Sequence, residues 1–340
     1  MLQFTWELYL LPVAASAPVT SDSDKDNLTV FTEFLLMDVA GSRELQVLQG
    51  VLFLLIYLGA LTGNLVTVAI IVTDTRLHSP MYFFIGNVAL LDLGTISVVV
   101  PKAVVNSLTG SKMISLTECA AQIFLFVVFA AVEIAFLVVM SYDRYVAICR
   151  PLHYGLTITP TLCAQAAAGS WASGLVYSAM HTGALFWLPF TKTNVIQQYF
   201  CDIPQVLRIS SSEVQLSESV LIAVSVCLVL ACFVSMLLSY ANICSTVLKI
   251  RSVEARNKAV STCTPQLAIL LLFLISGSVA VLGPTAEQPS LRNLLTAMFY
   301  TMAPPFVNPV IYCLRNRDIN AALGRMFSRC AQLPVRAFLE

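Results

Sequence analysis

The stretch Cys119–Met140, with the sequence CAAQIFLFVVFAAVEIAFLVVM, decides the fold of this chain. Glu133 is its one charged residue. A helix needs roughly 20 mostly apolar residues to cross the hydrocarbon core of a bilayer, since each residue adds about 1.5 Å of length. The stretch is therefore predicted to be a membrane-spanning helix.

Six further stretches of similar length and apolar character lie on both sides of this one. They are Val47–Thr73, Met81–Val100, Leu162–Phe186, Ser219–Leu248, Val260–Leu282 and Leu294–Leu314. Leu162–Phe186 is the least hydrophobic of them, so the pattern defines its ends poorly. Because no other segment is long enough to form a second core, the sequence predicts an all-α membrane protein, a bundle of seven transmembrane helices.

The composition excludes several other classes of protein. Of the 340 residues, 58% are hydrophobic and 11% are charged. Soluble domains carry about a quarter charged residues, so a soluble enzyme is disfavoured. The net charge of zero argues against a basic nucleic-acid-binding protein. The three histidines, at positions 78, 153 and 181, form no convincing metal cluster, so no metal site is predicted.

The distribution of charge predicts the orientation in the membrane. Most Lys and Arg residues near the spans would face the cytoplasm if the N-terminus lay outside. The glycosylation sequon at Asn27 falls in the same outer tail. We therefore expect an extracellular tail over residues 1–46, a seven-helix domain over 47–314 and a cytoplasmic tail over 315–340. The first 17 residues are either a cleaved signal peptide or part of the outer tail.

Two carboxylates lie within the predicted spans, where ionisable groups are costly and indicate function. Counting along the helices places Asp92 about 18 Å and Glu133 about 16 Å from the cytoplasmic side. Asn64 and Asn308 fall at about 14 and 11 Å by the same measure. Two unpaired carboxylates in one low-dielectric layer cannot both be ionised, so either one is protonated or a cation lies between them.

Four motifs stand in the expected order at the ends of the spans. They are LHSPMYFF at Leu77–Phe84, MSYDRYVAIC at Met140–Cys149, KAVSTC at Lys258–Cys263 and PFVNPVIYCLRN at Pro305–Asn316. Each resembles a signature of the vertebrate olfactory receptors, a branch of the rhodopsin-like G-protein-coupled receptors. The resemblance extends from about Asn27 to Phe327. The N-terminus and the segment Cys201-Asp202-Ile203-Pro204 are most similar to olfactory receptor family 14.

This resemblance implies a plasma-membrane odorant receptor rather than an enzyme. Such a receptor binds a small hydrophobic odorant, activates a stimulatory heterotrimeric G protein of the olfactory type and raises cyclic AMP. The resemblance also implies that Asp143 restrains Arg144 at rest, and that Arg144 turns toward Tyr240 and Tyr312 when the G protein docks. The residues implied in coupling are Asp143, Arg144, Tyr145, Tyr240, Lys258, Asn308, Pro309 and Tyr312.

The resemblance implies two further features. One is a disulfide between Cys119 and Cys201, without the second pair of loop cysteines that many olfactory receptors carry, because Thr191 and Ser211 stand at those positions. The other is a sodium-type site at Asp92 and Glu133. A protonated carboxylate bonded to a neighbouring helix remains the alternative, and no cofactor beyond a possible sodium ion is expected.

The ligand pocket implied by the resemblance lies between the outer halves of helices three, five, six and seven. Counting from the motifs by helical periodicity predicts the inward positions Phe126, Val127, Ala130, Ala131, Val224, Leu228, Gly277, Ser278, Val281 and Met298. This lining is almost wholly apolar, with Ser278 as the main hydrogen-bonding group, and suits a small hydrophobic ligand. Leu274 replaces a tyrosine found in most olfactory receptors, which leaves open how the ligand moves helix six.

Membrane lipids are a further expected partner, and rival functions remain. Asp318–Phe327 places apolar residues at helical spacing between arginines, which predicts an amphipathic helix on the inner leaflet. A transporter would usually show inverted repeats, and none is visible. A membrane enzyme using Asp92 and Glu133 as acid and base would also need a nucleophile or metal ligands at that depth. A receptor for a non-odorant small molecule is the third alternative.

Overall fold

The computed structural model describes residues 31–37, 42–282 and 290–336, and the side chains of all these except 281–282, 315 and 329–336. Within these ranges seven long helices form a bundle. They are α1 (Arg43–Thr73), α2 (Pro80–Thr109), α3 (Leu116–Cys149), α4 (Pro160–Leu185), α5 (Ser212–Lys249), α6 (Val253–Leu282) and α7 (Leu291–Arg315). An eighth long helix, α8 (Arg317–Arg336), follows α7, and short helices occupy Tyr154–Thr157 and Ile203–Ile209. Asn27 lies outside the described residues.

The long helices begin where the sequence supplies a capping side chain. The hydroxyl of Ser42 accepts a bond from the backbone N–H of Leu45 at the start of α1. Ser115 and Glu118 form a reciprocal capping box at the start of α3. Gly110 ends α2 with a φ of 75°, a left-handed conformation that glycine adopts without steric cost. Local chemistry therefore fixes where the spans enter and leave the bundle.

Several helices are longer than the apolar pattern predicted. α5 begins at Ser212 and α6 at Val253, each seven residues before its predicted start (219 less 212, 260 less 253). α2 continues through Pro101 to Thr109, where a polar connection was expected. Helical hydrogen bonds do not stop at the apolar boundary, because polar residues continue a helix into the membrane–water interface. The extension of α5 brings Glu218 into the bundle.

Six of the described helices, α1 to α3 and α5 to α7, are long and apolar enough to cross a membrane. α4 is the least apolar span, as the sequence predicted, and does not reach that level. It packs against α3 through a close approach of Gly174 to Val132. A Cβ added at Gly174 would lie 2.6 Å from a methyl group of Val132. α4 therefore completes the seven-helix bundle.

A small sheet covers one end of the bundle, an addition to the predicted all-α fold. Its central strand, β1 (Glu33–Leu36), pairs antiparallel with β2 (Met113–Ser115) and parallel with β3 (Val195–Ile196). β1 belongs to the segment predicted to be an outer tail. The side chain of Phe34 is fully buried and packs edge-on against Phe190. Part of the predicted tail is thus a structural element.

The opposite end of the bundle is closed by α8, which is longer than the predicted amphipathic helix. Its apolar side, including Ile319 and Ala322, is buried against the bundle. The hydroxyl of Tyr82 on α2 donates to Asp318 at 2.7 Å. Arg325 donates to Asp74 at 2.9 Å, and this bond holds the pKa of the Asp74 carboxyl below its usual value. These polar contacts fix α8 beneath the helices.

Candidate functional site

The structure brings Asp92, Glu133 and Asn308 together in the centre of the bundle. All three are buried, and the side-chain amide of Asn308 on α7 donates to both oxygens of Asp92 on α2, at 3.2 and 3.0 Å. Glu133 on α3 lies near enough for the charge of Asp92 to act on it. Asn64 instead donates to the Pro305 carbonyl at 2.8 Å and so ties α1 to α7. Of the four residues predicted from helix depth to share a polar layer, Asp92, Glu133 and Asn308 therefore lie together. Asn64 bonds instead to the preceding turn of α7.

This layer contains acceptor atoms that lack donors. Within the described part of the chain, Glu133 Oε1 and Asn308 Oδ1 are buried and have no hydrogen-bond partner. A buried acceptor without a donor costs free energy, so a proton, a water or a cation is favoured beside it. Oxygen atoms from two carboxyl groups and an amide are ligands that suit a hard cation.

At the C-terminal end of α3, the buried Asp143 and the partly buried Arg144 form an ion pair. The Arg144 Nε donates to Asp143 Oδ2 at 2.8 Å, and a second nitrogen of the guanidinium contacts the same oxygen. The other oxygen of Asp143 accepts a bond from the Tyr154 hydroxyl at 2.8 Å. Burial, and then the charge of Asp143, raise the pKa of Tyr154. No role of its own was predicted for Tyr154 from the sequence, although it lies ten residues after Arg144 in the connected loop.

The remaining residues predicted for coupling lie in different surroundings. Tyr240 on α5 and Tyr312 on α7 are buried, and within the described residues their hydroxyls have no hydrogen-bond partner. Pro309 is buried against Gly63 of α1, whereas Lys258 is exposed at the start of α6. The ring of Tyr145 lies 5.7 Å from the Arg150 guanidinium. Among the described residues, the core thus contains two tyrosine hydroxyls that make no hydrogen bond, those of Tyr240 and Tyr312.

The loop before α5 is fastened to the bundle by a disulfide between Cys119 and Cys201. Gln122 adds a second tie, because its carbonyl accepts from the Cys201 N–H at 2.7 Å and its amide donates to the Val98 carbonyl at 3.0 Å. These bonds hold the loop residues over α2 and α3. The sequence did not predict the role of Gln122, since its partners are backbone groups of distant segments.

The same loop is bonded to α7. The Tyr300 hydroxyl donates to Asp202 at 2.6 Å, and the hydroxyls of Tyr199 and Thr301 are 2.7 Å apart. Burial raises the pKa of Asp202 to about 6, and the bond donated by Tyr300 opposes this shift. The ring of Phe200 lies between those of Phe126 and Tyr300, at centroid distances of 6.1 and 6.0 Å. An aromatic layer therefore closes the end of the bundle that carries the disulfide.

The structure brings together some residues of the predicted pocket. Phe126 and Met298 pack against one buried cluster beneath the aromatic layer, and Val127 packs against the core formed with the sheet. Ala130, Ala131 and Gly277 are half-buried. Phe126, Val127 and Met298 therefore pack within the bundle, and a ligand-binding role for these residues stays a prediction.

Three predicted pocket residues lie elsewhere, and this corrects the expected lining. Val224 and Leu228 on α5 are 53% and 55% exposed. Ser278 is exposed on α6 with Leu271 and Ile275, which occupy the same helical face. Periodicity counted from one motif accumulates rotational error over many turns, so outer-half positions are the least secure. The side chain of Val281 lies outside the described residues.

The comparisons with known proteins agree with these motifs. A family model described as "Olfactory receptor" matches residues 53–330. Human olfactory receptor 14I1 is 52% identical over 89% of this chain and 97% of its own length. Human olfactory receptors 14A16 and 14J1 are 45% and 44% identical, over 88% and 91% of the chain and 97% and 96% of their own lengths.

Among solved structures, a crystal structure of squid rhodopsin matches with a TM-score of 0.62. It covers 87% of this chain and 91% of that protein at 16% identity, a likeness that establishes the seven-helix fold alone.

Proposed function

The chain belongs to the olfactory receptor family, and from that premise we propose that it is a plasma-membrane odorant receptor coupled to a stimulatory G protein of the olfactory type. A small hydrophobic, volatile-type ligand binds between α3, α5, α6 and α7, and cyclic AMP rises. The observation that carries the proposal is the Asp143–Arg144 pair at the end of α3, with two unpartnered tyrosine hydroxyls beyond it.

The contacts of this pair suggest how the receptor switches. At rest, Arg144 is neutralised by Asp143, which Tyr154 holds in place through its other oxygen. Breaking the ion pair frees the guanidinium, which needs new acceptors in a low-dielectric surrounding. Tyr240 and Tyr312 supply hydroxyl oxygens that the resting bundle leaves unused. A docked G protein would then stabilise the open arrangement, since a ligand shifts an equilibrium toward the state it binds better.

The surface beside Arg144 supports docking of a partner. A depression of about 460 Å³ is lined by residues of α3 and the following loop, including Tyr142, Val146 and Cys149. Leu152, also in its lining, is 91% exposed. An exposed leucine beside a concave surface suits the buried centre of a protein interface.

The proposed orientation places the N-terminus outside the cell. Disulfides persist in oxidising compartments, so the end of the bundle with Cys119 and Cys201 would face outward. β1 pairs with strands at that same end. The charge distribution and the sequon at Asn27 favour the same assignment.

We assign the ligand to the region beneath the aromatic layer. Phe126 and Met298 pack there and offer an apolar surface, and Ala130 and Gly277 are small, half-buried residues of α3 and α6. Leu274 gives α6 no hydroxyl there, so ligand contact moves α6 through packing alone. An apolar pocket with few polar groups suits an odorant-sized hydrophobe.

A sodium ion is proposed for the layer of Asp92, Glu133 and Asn308. The unpartnered oxygens of Glu133 and Asn308 would accept it, and its charge would offset the two carboxylates. Asp92→Asn and Glu133→Gln should each change basal signalling in the same direction, and the double variant should fall short of their sum. Strict additivity, with no effect of replacing sodium by choline, would favour a protonated carboxylate instead. Glu213→Gln, an exposed change on the first turn of α5, is the matched control.

The main test uses Arg144→Ala in cells that express a stimulatory olfactory-type G protein. A mixture of aliphatic and terpenoid odorants is the probe, and cyclic AMP per surface receptor is the measurement. We expect the variant to lose signalling while its surface level stays near that of the parent. Arg76→Ala, an exposed arginine at the same membrane face, should signal normally.

Equal signalling by parent and Arg144→Ala would overturn the proposed coupling. Odorant-independent uptake of a solute by the same cells, without cyclic AMP, would favour the transporter. A response to a non-odorant small molecule alone would keep the coupling and reject the odorant.

A further inference from the structure

A further buried carboxylate, Glu218, lies between α4 and α5 and takes no part in the site described above. It is fully buried, and Oε1 contacts Nδ1 of His181 on α4, itself 3% exposed. The other imidazole nitrogen, Nε2, lies 3.0 Å from the hydroxyl of Ser225, two turns along α5 from Glu218. The predicted fifth span began one residue after Glu218, so the sequence did not reveal this cluster.

The bonds of Ser225 determine where one proton lies. Its hydroxyl donates to the carbonyl of Leu221 at 2.7 Å. A hydroxyl has one hydrogen, so toward His181 it presents a lone pair. His181 Nε2 must then carry the hydrogen of the 3.0 Å contact. This leaves Nδ1 to meet Glu218.

The contact between Nδ1 and Glu218 requires a second proton. Either an imidazolium donates to a carboxylate, or a carboxylic acid donates to the neutral ring, because two lone pairs would repel each other. In both cases the pair is neutral as a unit. A bare carboxylate beside a neutral histidine would leave a net charge in a buried, low-dielectric position, at a large desolvation cost.

The surroundings of His181 and Glu218 agree with a pair that is neutral as a unit. The ring of Tyr177, one turn before His181 on α4, has its centroid 4.6 Å from the imidazole, where an aromatic face stabilises positive charge. Tyr177, His181 and Glu218 are the titratable groups that face one another there. Glu218 Oε2 has no partner within the described residues, which suits a shared proton better than a fully charged carboxylate.

We propose that His181, Glu218 and Ser225 form a proton-binding site that holds one proton between α4 and α5 and positions the outer half of α5. Between Glu218 and Met236 no side chain of α5 is fully buried, and several apolar ones from Val220 to Val234 are exposed. Its next buried residues are Met236 and Tyr240. The site is thus the outer of two anchors on which the placement of α5 depends.

The test separates charge neutrality from mere packing. His181→Asn keeps an amide near the Nδ1 position but has no basic nitrogen to share the second proton, so Glu218 must either stay charged or bind that proton alone, each at a cost in folding free energy. We expect its surface level to fall several-fold. Glu218→Gln removes the charge and keeps a bond to the ring, and should stay within about twofold of the parent. The double variant should recover most of the loss caused by His181→Asn, because no charge remains.

The measurement is the surface level of an N-terminally tagged full-length receptor by flow cytometry, with thermal inactivation of basal G-protein activity as a second readout. Glu213→Gln makes the same charge change on the exposed first turn of α5 and should have no effect. A double variant no better than His181→Asn would overturn the proposal. A loss for Glu218→Gln as large as that for His181→Asn would overturn it too, because it would show that the ionised group is required.

Discussion

Helices α2 and α5 are both apolar enough to span a membrane, yet they bury very different shares of their surface. Half of the most apolar 18-residue stretch of α2 is buried, against 6% of that of α5. Their mean hydropathies, 2.0 and 2.9, would suggest the opposite order. Hydropathy reports how well a helix tolerates lipid, whereas burial depends on which neighbours reach it.

The difference follows from what each helix contacts. α2 packs along its length against α1, α3 and α7, and at Gly94 it approaches the ring of Phe129. α5 is buried near its N-terminal end at Val214 and Glu218, and again from Met236 toward its C-terminal end. We infer that α2 belongs to a rigid half of the receptor, and that α5 is held at two anchors. Four predictions test this contrast.

Phe84→Ala on α2 should have the largest effect. Phe84 is 1% exposed and its ring lies 5.6 Å from that of Phe136. Truncating a buried phenylalanine leaves a cavity and costs about 3–5 kcal/mol of unfolding free energy. Thermal unfolding of the purified receptor in detergent measures it.

Two controls accompany Phe84→Ala. The neighbour Phe83 is 42% exposed, and Phe83→Ala should cost far less. Leu230→Ala, on the exposed part of α5, should stay within about 0.5 kcal/mol. A loss at Leu230 comparable to that at Phe84 would mean that α5 is packed as α2 is.

Met236→Ala tests the anchor of α5 near its C-terminal end. Met236 is buried in the inner core, so its truncation should cost about 2–4 kcal/mol. Leu237→Ala, one residue later on the exposed face, should have little effect. Similar losses at both positions, in the same unfolding assay, would show that the buried face of α5 is wrongly assigned.

Gly94→Ala probes the close approach on α2. An added Cβ would lie 2.6 Å from two atoms of the Phe129 ring, so the ring must move. Overpacking of this kind costs about 1–3 kcal/mol. Gly183→Ala on α4 meets nothing within 4 Å and serves as the control. A lowered melting temperature is expected for Gly94→Ala alone, and an unchanged one would show that this contact is loose.

The smallest effect concerns Asp202, in the loop that lies over α2 and α3. Burial raises the pKa of Asp202 to about 6, above its unfolded value near 3.8. A raised pKa means that the folded receptor favours the protonated acid, so stability is greatest below about pH 4 and falls as the pH rises through about 6. Thermal inactivation at external pH 5 and 7.4 should show this fall, and Asp202→Asn should reduce it. An identical pH profile for parent and variant would exclude Asp202 as its source.

Much of the receptor could be predicted from the sequence. Seven apolar stretches located the helices, and the motif around Arg144 located the ion pair with Asp143, because a motif specifies neighbours within one helix. Depth counting brought Asp92, Glu133 and Asn308 into one layer. Helix rise is constant at about 1.5 Å per residue, so depth errors stay small. Cys119 and Cys201 were paired by family resemblance, and the structure contains that disulfide.

Rotation and length of the helices were decided only in the tertiary structure. Ser278 faces outward and Glu218 inward because neighbouring helices, not the lipid, select which face of an apolar helix is buried. The strand formed by residues 33–36 and the bonds of Gln122 depend on segments far apart in the chain. The bond from Tyr154 to Asp143 depends on how the loop after α3 folds back onto that helix. The sequence by itself determined which segments enter the membrane and at what depth their polar groups lie, since apolar length and helix rise are local properties. Which of those groups meet was decided by packing between helices, because contacts across a bundle involve residues that no local pattern links.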